Sequence, residues 1–247
     1  MKPKIYAHRG ASNYAPENTM PAFQLAYDMK TDGIETDVQL TKDNVPVLIH
    51  DEHVNRTTNS IGYIKDFTYH ELKQLDAGSW FSPKFKGTTI PTLEELLTWI
   101  KGKSIYLNIE LKNNKIDYKH IEAIVYEQIK AYQLINRTTI STFNPNSVKR
   151  LAAHTNFREL ALLTSKRIRN PIQFVKELGA NAIHVKYNLV NPTMVTLAQQ
   201  QHVKLRIFTI NRPARIIRSI KYGVDGIFTD VPDVALYYKH LLLGKQQ

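Results

Sequence analysis

Residues 4–51 read KIYAHRGASNYAPENTMPAFQLAYDMKTDGIETDVQLTKDNVPVLIHD. A short apolar run, Lys4–His8, closes on His8-Arg9-Gly10, a helical pattern covers Thr19–Lys30, and a second strand-like run covers Gly33–Val38. This strand–helix–strand order repeats to the C-terminus. Further strands are expected at Ser104–Leu111, Thr138–Thr142, Glu159–Leu163, Ala182–Lys186, Val203–Ile210 and Gly226–Thr229, with amphipathic helical stretches between them. Asn170-Pro171 and Asn191-Pro192 read as caps followed by an early proline. Gly179 and Gly223 read as helix ends. About eight β-then-α units in 247 residues predict an α/β fold of the (β/α)8 TIM-barrel type. A doubly wound open sheet is the competitor, but no glycine-rich dinucleotide loop follows the first strand.

The segment from about Pro46 to Pro91 breaks the alternation. It holds one strand-like run, PVLIH, a short helical stretch at Thr68–Leu75 and the turn-rich DAGSWFSPKFKG. It reads as an insertion after the second barrel strand, covering one end of a single domain that spans residues 1–247.

A chain of this length can bury a sizeable core. Hydrophobic residues make up 43% and charged residues 22%, the balance of a globular protein. There is no cysteine, which excludes disulfides and thiolate metal sites. The opening MKPKIYAHRG has no apolar signal core and no run is long enough to span a bilayer, so a soluble, cytoplasmic protein without stable membrane insertion is expected. The formal charge of +11 favours encounters with anions. Its lysines and arginines are scattered and accompany no nucleic-acid module, so no nucleic-acid partner is expected.

Alternation on strands places Glu35 and Asp37 on one face, and Tyr106, Asn108, Glu110 and Lys112 on one face against Ile105, Leu107, Ile109 and Leu111. In a barrel the polar set points inward, towards the C-terminal mouth where barrel active sites lie. Glu35, Asp37 and Glu110 then converge as three oxygen ligands. An all-oxygen set suits a hard divalent cation, Mg2+ or Ca2+, better than zinc. His8 and His50 each end a strand-like run, and a pair of imidazoles can divide the work of acid and base. Arg9 and Lys112 are suited to holding phosphate oxygens. The other histidines read as structural or surface residues. These groups point to metal-assisted chemistry on a phosphate ester.

The ordered set HRGASNYAPEN, GIETDVQLTKDNVPVLIHDEHVNRTTN, LDAGSWFSPKFKGTTIPTLEELL, LNIELK, IFTINRP and GVDGIFTDVPD resembles the glycerophosphodiester phosphodiesterase family over essentially the whole chain. The resemblance implies a catalytic histidine pair at His8 and His50. It implies a phosphate-binding arginine at Arg9, metal-binding acids at Glu35, Asp37 and Glu110, and an active-site lysine at Lys112. Glu17 and Asn18 fall in the PEN motif and read as supporting and helix-capping residues. Two positions depart from the family pattern. Asn44 stands where many members have glycine, and asparagine still tolerates the turn. Phe208 stands where many have tryptophan, before Thr209, Ile210 and Asn211, which bears on head-group preference.

The implied reaction is hydrolysis of a small glycerophosphodiester to glycerol 3-phosphate and an alcohol, with either the substrate's own glycerol 2-hydroxyl or water as nucleophile. Two other readings compete with it. One is a lysophospholipase D-like or other lipid phosphodiesterase at a membrane surface, suggested by the charge and by the C-terminal VALYYKHLLLGK. The other is a non-catalytic binding domain that kept the barrel.

Overall fold

Inward- and outward-facing residues alternate along every expected strand, and the structure shows what each set meets. The structure is a computed structural model and describes residues 2–244. Eight parallel strands form the barrel: β1 (Lys4–His8), β2 (Gly33–Leu40), β4 (Tyr106–Leu111), β5 (Thr138–Thr142), β6 (Glu159–Thr164), β7 (Ala182–Lys186), β8 (Lys204–Phe208) and β9 (Gly226–Thr229). They lie in the order β1-β9-β8-β7-β6-β5-β4-β2, and pairing of β1 with β2 closes the ring. The expected (β/α)8 barrel is therefore present. One further strand, β3 (Pro46–Leu48), runs antiparallel to β2 with Val38 opposite Leu48.

The helices are α1 (Met20–Asp28), α2 (Tyr69–Leu72), α3 (Leu93–Ile100), α4 (Ile121–Ala131), α5 (Pro145–His154), α6 (Pro171–Glu177), α7 (Pro192–Gln200), α8 (Pro213–Tyr222) and α9 (Pro232–Leu243). Proline opens α5 to α9, where a missing N–H costs nothing. The side chains of Asn144 and Asn191 accept from first-turn amides of α5 and α7. Asn170, expected to do the same for α6, instead takes a left-handed backbone with φ 50° and makes no cap bond. α8 ends on Gly223 at φ 74°, as expected.

The outward set of the strands, including Ile34, Val38, Ile109, Ile140, Ile183 and Ile207, is buried in one continuous core under the helices. The inward set is polar and aromatic towards the N-terminal end of the barrel. There Arg206 pairs with Glu159, donates to His184 Nε2 at 3.0 Å and lies 5.0 Å from the centre of the Tyr6 ring. Burial, reinforced by the charge of Arg206, holds His184 well below the usual imidazole range, so it is a neutral core residue.

The segment after β3 has an apolar cluster of its own, built from Val47, Ile49, Val54, Ile64, Leu72, Ala77 and Ile90. Its expected helix is only the single turn of α2, started by a capping box between Thr68 and Glu71. Asn44 sits at φ 61°, a left-handed conformation that glycine and asparagine tolerate. At the C-terminus α9 packs through Pro232, Ala235 and Leu236, while Tyr237 and Leu241 face outward. Among the described residues no helix is long and apolar enough to cross a membrane.

The turn leaving β1 is the tightest constraint near the barrel mouth. Gly10 has φ +79°, and a Cβ there would lie 2.6 Å from the carbonyl carbon of Ala22 in α1. Backbone cannot retreat as a flexible side-chain tip can. Gly10→Ala is expected to destabilise the fold by on the order of 2–4 kcal/mol, combining left-handed strain with overpacking. Urea unfolding of the variant against wild type measures this, and an unchanged midpoint would refute the account.

Candidate active site

Parallel register brings the acids of neighbouring strands level with one another. Glu35 lies beside His8, and Asp37 beside Glu110. One carboxylate oxygen from each of Glu35, Asp37 and Glu110 lies within 4.8 Å of the others, and all three residues are buried. Burial and then the charge of Asp37 push the Glu35 carboxyl well above its ordinary range. Burial also raises Glu110, although Lys112 opposes the shift. Asp37 is held low: the charges of Arg9 and Lys112 outweigh its burial. Three buried acids against two cations leave negative charge uncompensated, and the donors are all carboxylate oxygens. Such a set fits a hard divalent cation.

The cations are held close by. Lys112 Nζ is 2.8 Å from Glu110 Oε1 and 3.8 Å from Asp37 Oδ1. Arg9 has φ 57°, an uncommon backbone for arginine. That turn aims its amide at Glu35 Oε2, 2.8 Å away, while its Nε lies 3.2 Å from Asp37 Oδ2 without the alignment of a hydrogen bond. Glu17 accepts from Arg9 Nη1 at 2.8 Å and takes both terminal nitrogens of Arg56, at 2.7 and 2.8 Å. Asn18 does not cap α1, which begins behind Thr19 with no side-chain cap. Its amide donates to Asp37 Oδ2 at 2.9 Å, and its carbonyl accepts from Thr36 Oγ1 at 2.8 Å. The left-handed φ of 56° at Asn18 turns the side chain inward to the acid instead of along the helix.

The histidines flank the acids from different supports. His8 Nδ1 lies 2.6 Å from Asp230 Oδ1 at the end of β9. His50 Nδ1 lies 2.6 Å from Asp51 Oδ1 in the segment after β3. A carboxylate at Nδ1 fixes the ring and leaves Nε2 free for proton transfer in both cases. Burial disfavours the His8 imidazolium, but the Asp230 bond and the charge of Glu35 outweigh it, and His8 is raised. Asp230 is correspondingly lowered to about 2, its burial offset by His8. Beside His50 and Lys112 opens a cavity of about 600 Å³, with Asp51, Arg56 and Lys115 also on its walls.

A model of the glycerophosphoryl diester phosphodiesterase family matches residues 8–234. The chain belongs to that family. It is 42% identical over 239 residues to a glycerophosphodiester phosphodiesterase of Caldanaerobacter subterraneus subsp. tengcongensis, covering 96% of this chain and 97% of the relative. It is likewise 42% identical over 236 residues to a glycerophosphodiester phosphodiesterase of Bacillus altitudinis, covering 94% and 96%. The structure of a phosphodiesterase from Oleispira antarctica, in complex with the product sn-glycerol-3-phosphate, superposes with a TM-score of 0.88 at 30% identity, covering 96% of each chain.

Several groups around this family site escaped sequence reasoning. Asp230 orients His8, and Arg56 ties Asp51, the charged neighbour of His50 in the sequence, to Glu17, with Nε 2.7 Å from Asp51 Oδ2. Gln39, buried on β2, places its amide nitrogen 3.2, 3.0 and 2.6 Å from the carbonyl oxygens of Ile49, His50 and Asp51. Tyr118 holds the other end of that amide, donating to Gln39 Oε1 at 2.8 Å. A carboxylate directly after a strand, as in FTD, was the available signal for Asp230; Gln39 carried none. Asn211 reaches the acids only indirectly, donating to Asp230 Oδ2 at 2.5 Å and accepting from the Asp230 amide at 2.9 Å. Phe208 sets its ring 5.9 Å from that of Phe143.

The His8–Asp230 pair sets a pH dependence. Lowering of Asp230 gives stability that is present above its unfolded value, about 3.9, and lost as pH falls towards about 2. Raising of His8 gives stability present below its unfolded value, about 6.5, and lost as pH rises through its folded value. The stability lost in Asp230→Asn should therefore peak between about pH 4 and 6.5. Urea unfolding across pH checks this, and a loss constant from pH 3 to 9 would contradict it.

Proposed function

We propose that this protein hydrolyses glycerophosphodiesters to glycerol 3-phosphate and an alcohol, with a divalent cation held by Glu35, Asp37 and Glu110. The observation that carries the reading is the buried triad of carboxylates set between two carboxylate-oriented histidines, with Arg9 and Lys112 against it. When bound, a hard divalent cation supplies Lewis acidity, stabilising charge on a phosphoryl oxygen and favouring ionisation of a nearby hydroxyl.

The chain's own residues do the rest. Arg9 and Lys112 bind the non-bridging phosphate oxygens and offset the charge that grows on them during displacement. Glu17 keeps the Arg9 guanidinium from swinging away, and Asn18 keeps Asp37 turned towards the triad. One histidine takes a proton at Nε2 from the attacking hydroxyl, while the other gives a proton from Nε2 to the departing alkoxide. Asp230 and Asp51 stabilise whichever ring is cationic at that moment. The glycerol 2-hydroxyl is the proposed nucleophile, giving a cyclic phosphate that water then opens; trapping of that cyclic ester in a slow variant tests the order of steps.

Activity at a membrane surface is not favoured. The relatives described above are named for glycerophosphodiesters, and α9 turns only part of its apolar surface outward.

Release of glycerol 3-phosphate from glycerophosphocholine and glycerophosphoethanolamine is the direct test. EDTA should abolish turnover, and Ca2+ or Mg2+ should restore it; no turnover with either cation present would sink the proposal. His8→Ala and His50→Ala should each lower turnover by roughly 10²–10⁴-fold while leaving the far-ultraviolet circular dichroism unchanged. Glu110→Gln should need more cation for half-maximal activity, with partial recovery at excess. Wild-type activity in His50→Ala would overturn the acid–base assignment.

A further inference from the structure

Acids and cations do not mix around the barrel mouth. Glu35, Asp37, Glu110 and Asp230 sit on or beside β9, β1, β2 and β4, which are consecutive in the ring. The loops after β5, β6, β7 and β8 (residues 143–144, 165–170, 187–191 and 209–212) contain no aspartate or glutamate. They contain Lys166, Arg167, Arg169 and Arg212, all exposed. A chain with 22 acidic residues leaves this whole half of its mouth without one.

Within that half, Lys186 has the most informative position. It is the last residue of β7 and pairs with Phe208 of β8. Two residues earlier, His184 points into the barrel against Arg206 and Phe228. Strand alternation turns Lys186 to the same interior face, one layer nearer the mouth. Lys186 is exposed, and among the described residues no group makes a hydrogen bond or ion pair with its ammonium. Phe208 stands beside it in register, and the Phe208 ring packs against that of Phe143, 5.9 Å away and nearly perpendicular. Lys112 Nζ lies 5.9 Å from the centre of the Phe143 ring at the other end of that pair.

We infer that this phenyl pair, closed by Lys186, is the subsite for the departing alcohol and that it selects alcohols carrying negative charge. The inference rests on the reaction proposed above. With phosphate held by Arg9 and Lys112 and the glycerol end drawn to the acids, the remaining part of the diester extends towards the acid-free half. An aromatic pair alone would welcome a quaternary ammonium. Here a lysine stands at each end of the pair, and both repel a cation lodged on the rings. An anionic group attached to the alcohol meets Lys186 directly and the loop cations Lys166, Arg167 and Arg212 more distantly.

Three diesters that share the glycerophosphoryl half test this: glycerophosphocholine, glycerophosphoglycerol, and glycerophosphoglycerol bearing a terminal phosphate. Their leaving alcohols are cationic, neutral and anionic. The expected order of kcat/KM is anionic, then neutral, then cationic, carried mainly by KM and compressed by added salt. Lys186→Ala should lower the anionic-to-cationic ratio by about fivefold, and Lys186→Glu should lower it further, in line with one solvent-exposed charge. Turnover of glycerophosphocholine with a ratio that neither variant changes would overturn the subsite while leaving the reaction standing. No turnover of any of the three with cation present would overturn the reaction and the subsite together.

Discussion

Three carboxylates forced together at one buried end of a barrel repel one another, and most of the surrounding structure answers that repulsion. Parallel register makes the crowding unavoidable, because Asp37 and Glu110 are direct partners on adjacent strands. Arg9 and Lys112 relieve it in part, and their own burial is tolerable only because the acids are there. Glu17 and Asn18 fix the geometry of that compromise. Crowding that destabilises the fold is thus what the cation proposed above would relieve.

The two imidazoles are built in unlike ways. His8 belongs to a barrel strand and is oriented by another barrel strand through Asp230. His50 follows an antiparallel strand outside the ring and is oriented by its own neighbour, Asp51. Its backbone is drawn to the barrel by Gln39, whose carbonyl is occupied by Tyr118. A chain of polar contacts runs from His50 through Asp51, Arg56, Glu17 and Arg9 to Asp37, so displacement at either end is felt along it.

The barrel was legible because period-two strands and proline-opened helices write a repeating pattern, and every expected barrel strand is present within a few residues. The triad was legible for the same reason: alternation alone puts Glu35 with Asp37, and Asn108 with Glu110. What sequence could not supply were contacts that depend on ring closure. Asp230 is 222 positions from His8, and they meet only because β9 returns beside β1. Gln39 reads as an ordinary strand residue until the segment after β3 folds back over it. The helix capping expected of Asn18 and Asn170 fails for a common cause. Asparagine favours both the helix cap and the left-handed backbone, and local sequence does not say which wins.

The segment that carries His50 keeps an apolar cluster separate from the main core. Two clusters of unequal size, joined through the pairing of β3 with β2 and through polar contacts, are expected to behave as two cooperative units of unequal stability. The smaller unit can open while the ring of strands stays closed, and opening withdraws His50 and, through Arg56, Glu17 and Arg9, loosens the hold on Asp37. Warming would then silence the protein before it melts, and hydrogen exchange would register that order as early loss of amide protection around Val54 and Ile64, with protection on the barrel strands retained.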